Sequence, residues 1–220
     1  NLVLADGASE QVQPKMVALA DGGFYVSWFD NAAGGYDVRL QRLSATGVEL
    51  WPHNGVLVAD RNLSSTTDYG LSVDTAGNAL LAFNDDSEAA ERIVAAKISP
   101  DGLAIWGTPG IAVSTSTGFL ASPRIAGTDA GDVVVAWFQV SDTVLQRLDP
   151  AGAKLWATDG LVLAHSGDTF VVADLQATGA NGGLDTGNVI VSWVRYVSFA
   201  GAKHLWAQKL DPDGLPLWGA

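Results

Sequence analysis

The 220-residue chain contains no cysteine. Disulfides, thiolate catalysis and cysteine-ligated zinc are therefore excluded. Cations are scarce: 12 Lys and Arg stand against 24 Asp and Glu, a formal net charge of −12. Nucleic-acid binding rests on clustered Lys and Arg, so no nucleic-acid partner is expected. Glutamate is nearly missing too, at positions 10, 49, 88 and 91 only, so most of the acids are Asp. Asp favours turns where Glu favours helices, which points to a turn-rich β protein. No apolar run reaches the roughly 18 residues of a membrane-spanning helix, so no membrane insertion is expected. No basic segment leading into an apolar one opens the chain, which starts at Asn1 and reads as a processed protein or an excised domain.

What is present is a repeat, the feature to seek before local structure. Four apolar stretches end in an aromatic: Phe24-Tyr-Val-Ser-Trp28, Ala79-Leu-Leu-Ala-Phe83, Val133-Val-Val-Ala-Trp137 and Val189-Ile-Val-Ser-Trp193. Their aromatics are 55, 54 and 56 residues apart, and each stretch follows an Asp-Gly type of turn, the fourth being Asp185-Thr-Gly187. A second block carries Leu40-Gln-Arg-Leu to Trp51, Ala95-Ala-Lys-Ile to Trp106, Leu145-Gln-Arg-Leu to Trp156 and Ala207-Gln-Lys-Leu to Trp218. Seven of the eight tryptophans occupy repeat positions, Trp206 being the exception. A third block, such as Gly55-Val-Leu-Val-Ala-Asp60, is missing after Trp218 and is found instead as Asn1-Leu-Val-Leu-Ala-Asp6.

Each unit holds four strand-length runs separated by turn chemistry. In the first unit these are Lys15 to Ala20, Phe24 to Trp28, Asp37 to Leu43 and Val56 to Ala59. Four antiparallel strands repeated at this period predict an all-β chain, a β-propeller of four blades. The blades are expected at 11–60, 66–114, 120–164 and 170–220, with residues 1–8 closing the ring as the outer strand of the fourth. Membership of a larger ring of six to eight blades is the alternative, and a β-sandwich is the fold runner-up. An unclosed ring leaves strand edges that must pair elsewhere, so strand exchange between copies is a further expectation.

These units resemble the β-propeller repeats of secreted and surface-anchored bacterial proteins, over the whole chain. The resemblance implies export, a place outside the cell or on its surface, and a scaffold or binding role. It carries no catalytic residue across. The Gly-x-x-x-Trp turn also resembles the aspartate box of sialidases, but Leu148-Asp-Pro-Ala-Gly-Ala-Lys-Leu-Trp156 departs from that order, and no sialidase activity is inferred.

Regular positions are expected to be structural. Trp28, Phe83, Trp137 and Trp193 should pack between blades, and Trp51, Trp106, Trp156 and Trp218 should staple outer strands. Arg42, Lys97, Arg147 and Lys209 recur at one position and should pair with turn aspartates. Asp149, Asp211 and Asp213 sit in Asp-Pro-x-Gly turns, which needs no metal. No alternating Asp-x-Asp-x-Asp-Gly loop is present, so neither metal nor cofactor is expected. His53, His165 and His204 match no zinc motif, and no Gly-x-Ser-x-Gly occurs. The loops between the second and third strands diverge, and divergence on one face marks a binding face. Asp30, Tyr36, Asp85, Asp86, Arg195 and Tyr196 are the expected contacts with a protein or glycan partner. The reading is a non-enzymatic binding or scaffold domain. The alternatives are a subunit assembling through its N-terminal strand and a glycan-binding or glycan-acting domain.

Overall fold

The computed structural model describes the chain apart from Ser65, Glu88, Ala89, residues 180–185 and Ala220. Asp185, expected in the fourth turn, lies outside the described residues. Four antiparallel sheets follow one another along the chain. The first joins β1 (Gln11–Ala18), β2 (Phe24–Asp30), β3 (Asp37–Leu43) and β4 (Val56–Ala59). The second joins β5 (Gly70–Val73), β6 (Ala79–Asp85), β7 (Arg92–Ile98) and β8 (Ile111–Ala112). The third joins β9 (Leu120–Gly127), β10 (Val133–Gln139), β11 (Asp142–Leu148) and β12 (Leu161–Leu163). The fourth joins β13 (Thr169–Ala177), β14 (Val189–Tyr196) and β15 (His204–Leu210). Every sheet runs in sequence order, as tight turns dictate.

Alternation along each second strand sends its side chains to opposite faces, and this builds the core. Ala79, Leu81 and Phe83 face the first sheet and meet Tyr25, Phe29 and Leu40, while Leu80 and Ala82 face the third. Trp137 fills the junction of sheets two and three, and Trp193 that of sheets three and four, stacked on Phe170. Each inter-blade aromatic therefore packs backwards onto the preceding sheet. Tyr69 and Phe170 are core residues of these junctions too.

A second device ties neighbours at their outer turns. The indole N–H of Trp51 donates to the Pro100 carbonyl at 3.1 Å, that of Trp106 to Pro150 at 3.1 Å, and that of Trp156 to Pro212 at 3.0 Å. Glycine lies beneath each ring: a Cβ on Gly102, Gly152 or Gly214 would come within 3.3, 3.2 or 3.4 Å of Trp51, Trp106 or Trp156. Gln41 and Gln146 hold the tryptophan backbone, each accepting from its N–H at 3.2 Å. The recurring cations close the turns, with Arg42 on Asp21 at 3.0 Å, Lys97 on Asp74 at 2.9 Å and Arg147 on Asp132 at 2.8 Å.

The N-terminal segment departs from expectation. Among the described residues the fourth sheet has three strands, and Asn1 to Asp6 form no strand with it. Leu4 and Ala5 pack instead on Val26, Trp28 and Leu43 of the first sheet, and the Asp6 N–H donates to Asn54 Oδ1 at 3.0 Å. That apolar face has no preceding blade within the described residues, so the segment that can bury it does so. Four antiparallel sheets in series are present; the predicted closure of the ring by the N-terminal strand is not seen among the described residues.

Candidate functional site

The first strands of successive sheets meet one another, β1 with β5, β5 with β9 and β9 with β13. A cavity of about 430 Å³ opens where they converge, and all four contribute to its wall. Three of them carry one extra residue against their partner strand, between Val12 and Lys15, Ala121 and Arg124, and Val172 and Asp174. Such a bulge re-aims the side chain that follows it. Those side chains are Lys15, Arg124 and Asp174, and all three line the cavity. Their partners across the sheet, Ser27, Ala136 and Ser192, are one repeat position. The fourth equivalent is Gly70, opposite Ala82. A Cβ there would lie 3.1 Å from the Ile125 backbone nitrogen, so glycine lets β5 approach β9. One repeat position thus supplies Lys, Gly, Arg and Asp to one cavity.

Asp68 anchors this arrangement. Lys15 Nζ lies 2.6 Å from one of its carboxylate oxygens and Arg124 Nη2 lies 2.7 Å from the other. Lys15 also donates to the Tyr69 carbonyl at 2.5 Å, and Arg124 Nε donates to the Ala173 carbonyl at 2.9 Å. Burial works to raise the Asp68 pKa, but the hydrogen bond from Lys15 and the Arg124 charge outweigh it and hold the carboxyl below its ordinary value. Asp68 is thus a fixed carboxylate bridging three sheets. Asp174, on the fourth, is exposed, its Oδ1 accepting from the Leu175 N–H at 2.9 Å. Beneath them Tyr69 is fully buried, its hydroxyl 2.9 Å from the Gln13 carbonyl and 2.8 Å from Ser27 Oγ, and burial pushes its pKa up to about 12.

The residues expected from loop divergence fall in two other places. Asp30 is buried, accepting from Ser9 Oγ at 2.9 Å and the Ala32 N–H at 2.8 Å. Tyr36 donates its hydroxyl to Glu10 at 2.5 Å, and Asp86 accepts from the Asn62 N–H at 2.8 Å. Asp85 is buried; its Oδ2 accepts from Ser87 at 2.7 Å, its Oδ1 has no partner among the described residues, and burial raises its pKa. Arg61, absent from the sequence expectations, joins these loops. Its fully buried guanidinium donates to the Tyr36 carbonyl at 2.6 Å and the Asn84 carbonyl at 2.7 Å, over the Phe29 ring. Arg195 and Tyr196 line a separate cleft of about 290 Å³ on the fourth sheet, with Asp168, His204 and Trp206. There Arg195 is bound to Asp168 at 2.5 and 2.6 Å and covers the Trp206 ring. Among the described residues no group of His, Asp or Glu is arranged to hold a metal.

No protein-family model matches the chain, and no curated protein matches it. Solved structures do. An α-L-arabinanase of Penicillium chrysogenum, complexed with arabinobiose, aligns at a TM-score of 0.56 and 14% identity, over 93% of this chain and 64% of that one. An endo-arabinase of Bacteroides thetaiotaomicron aligns at 0.52 and 12%, over 94% of this chain and 80% of that one. A putative glycoside hydrolase of Parabacteroides distasonis aligns at 0.52 and 12%, over 94% and 70%. The expectation of a non-enzymatic scaffold is corrected by these neighbours: the similar propellers include glycoside hydrolases, and the case for a chain that is not an enzyme falls with it. The resemblance to a secreted repeat family narrows in the same way, since no family matches. At these identities the likeness establishes the fold, and that fold is a β-propeller.

Proposed function

We propose that this propeller acts on a glycan taken into the central cavity. The observation that carries the reading is the convergence of Lys15, Arg124 and Asp174 from three sheets on one cavity, with Asp68 beside it pairing with both cations. Sugar hydroxyls both donate and accept, and this set offers fixed cations, carboxylates and the Gln176 amide around one space. Glycoside hydrolysis uses two carboxyl groups, one ionised and one that gives a proton to the leaving oxygen. Asp68, held ionised by two cations, suits the charged role. Asp174, on the facing sheet and outside the ion pairs, is the second carboxyl group at the cavity. The similarity to arabinan-cleaving propellers supports this class of substrate, and it requires the four inner strands rather than a closed ring.

The test is hydrolysis and binding across a polysaccharide panel that includes arabinan, with Asp68→Asn and Asp174→Asn alongside the unaltered chain. Each substitution should lower turnover by about 100-fold or more, the usual contribution of a positioned acid or base. Arg124→Met should weaken binding. Absence of both binding and hydrolysis across the panel, or turnover unchanged in both Asp variants, overturns the reading.

A further inference from the structure

The two ends of the blade series are complementary, and we infer that they form a head-to-tail interface between two copies of this chain. Three internal junctions define what such an interface looks like. In each, a tryptophan donates to the second residue of the next blade's outer turn and covers that turn's glycine. Trp51 and Trp106 are 8% and 9% exposed as a result. Trp218 occupies the same position in the fourth blade. Gln208 holds it as Gln41 and Gln146 hold their tryptophans, accepting from its N–H at 3.1 Å. Yet Trp218 is 44% exposed, and its indole N–H has no partner among the described residues.

The matching acceptor stands vacant on the first blade. Its outer turn is Ser44-Ala45-Thr46-Gly47, the equivalent of Ser99-Pro100-Asp101-Gly102. The Ala45 carbonyl accepts no hydrogen bond among the described residues. A Cβ on Gly47 would meet nothing within 4 Å, where every other glycine of this position lies under an indole.

The sheet faces agree. Val38, Ile93 and Thr143 share one position on the third strands and are each 0% exposed, covered by the next blade; Leu205, their equivalent in β15, is 75% exposed. At the other end, Leu4 and Ala5 are the counterparts of Val58 and Ala59 in the repeat. They lie against the first blade's rear face as those residues lie against the second blade's. The N-terminal segment thus occupies the outer-strand place of a preceding blade that the described residues do not include. A second copy supplies that blade: its β15 edge reaches residues 1–6, and its Trp218 reaches the 44–47 turn. The contact is heterologous, so it propagates or closes into a ring of copies.

Sedimentation over a wide concentration range tests this. The unaltered chain should gain mass with concentration. Trp218→Ala, which removes the donor, and Ala45→Arg, which blocks the acceptor turn, should each stay monomeric with unchanged circular dichroism. If Ala45→Arg fails to fold, Thr46→Arg on the same exposed turn replaces it. An equimolar mixture of the two variants retains one good donor and one good acceptor, and should give dimers and nothing larger. The inference is overturned by an unaltered chain that stays monomeric, by Trp218→Ala associating like the unaltered chain, or by a mixture that does not dimerise. None of these outcomes depends on glycan activity.

Discussion

At the scale of single residues, burial decides which polar groups matter. Tyr69 and Tyr25 are fully buried, and burial pushes both hydroxyls up to about 12 from an ordinary value of 10.0. In the unfolded chain they ionise near pH 10, so the unfolded state loses its protons first as pH rises. Both therefore contribute stability that is intact below pH 10 and lost between pH 10 and about 12. Denaturation midpoints followed through that window should fall, and Tyr25→Phe should lessen the fall. A midpoint flat to pH 12 would contradict the buried assignments. Asp68 has the opposite sign: its lowered pKa means its contribution is present above its ordinary value of 3.8 and is lost as pH falls below it. The composition gave no hint of any of this, because Asp68 and Asp174 look like every other aspartate until Lys15 and Arg124 are placed beside them.

At the scale of the element, the repeat was legible almost residue for residue. Asp37 to Leu43 and Val56 to Ala59 are strands with the bounds that apolar pattern and turns predict. The inner strand was read less well: β1 begins at Gln11, not Lys15, because the bulge interrupts its alternation. The same bulge hid the cavity residues, since a shifted register puts Lys15 where period-two counting does not look. A signal was available: Lys15, Gly70 and Arg124 each stand 13 residues before the repeat aromatic, at a position where the units differ. The staples allow a quantitative contrast. Trp106→Ala removes a buried ring and its bond to Pro150, at a cost of about 3–5 kcal/mol. Trp218→Ala, at the half-exposed end, should cost less than about 1 kcal/mol in the monomer. Urea midpoints of the two variants measure the difference, and equal losses would refute the staple.

At the scale of the whole molecule, sheets two and three are covered on both faces, while sheet four is covered by sheet three alone among the described contacts. Stability in such a series is close to a sum of nearest-neighbour terms. Hydrogen exchange of the monomer should therefore protect the amides of β6 and β10 most and those of β15 least. Protection of β15 equal to that of β10 would mean that its outer face is covered. The loop residues chosen from divergence, Asp30, Tyr36, Asp85 and Asp86, are held by Ser9, Glu10, Ser87 and Asn62, with the buried Arg61 on the Tyr36 carbonyl, which accounts for their polarity by loop structure.

The sequence by itself determined the sheets. Strand spacing, turn chemistry and the recurring tryptophans are local or repeat with a fixed period, so they are written into the order of residues. Tertiary structure alone decided which faces remain open and which side chains meet at the centre. Lys15, Arg124 and Asp174 are scattered through three-quarters of the chain, and only the radial convergence of the first strands brings them to one cavity, where Asp68 pairs with both cations. Likewise Leu4 could in principle bury itself on either end of the series, and the apolar rear face of Val26 and Trp28 settled the choice.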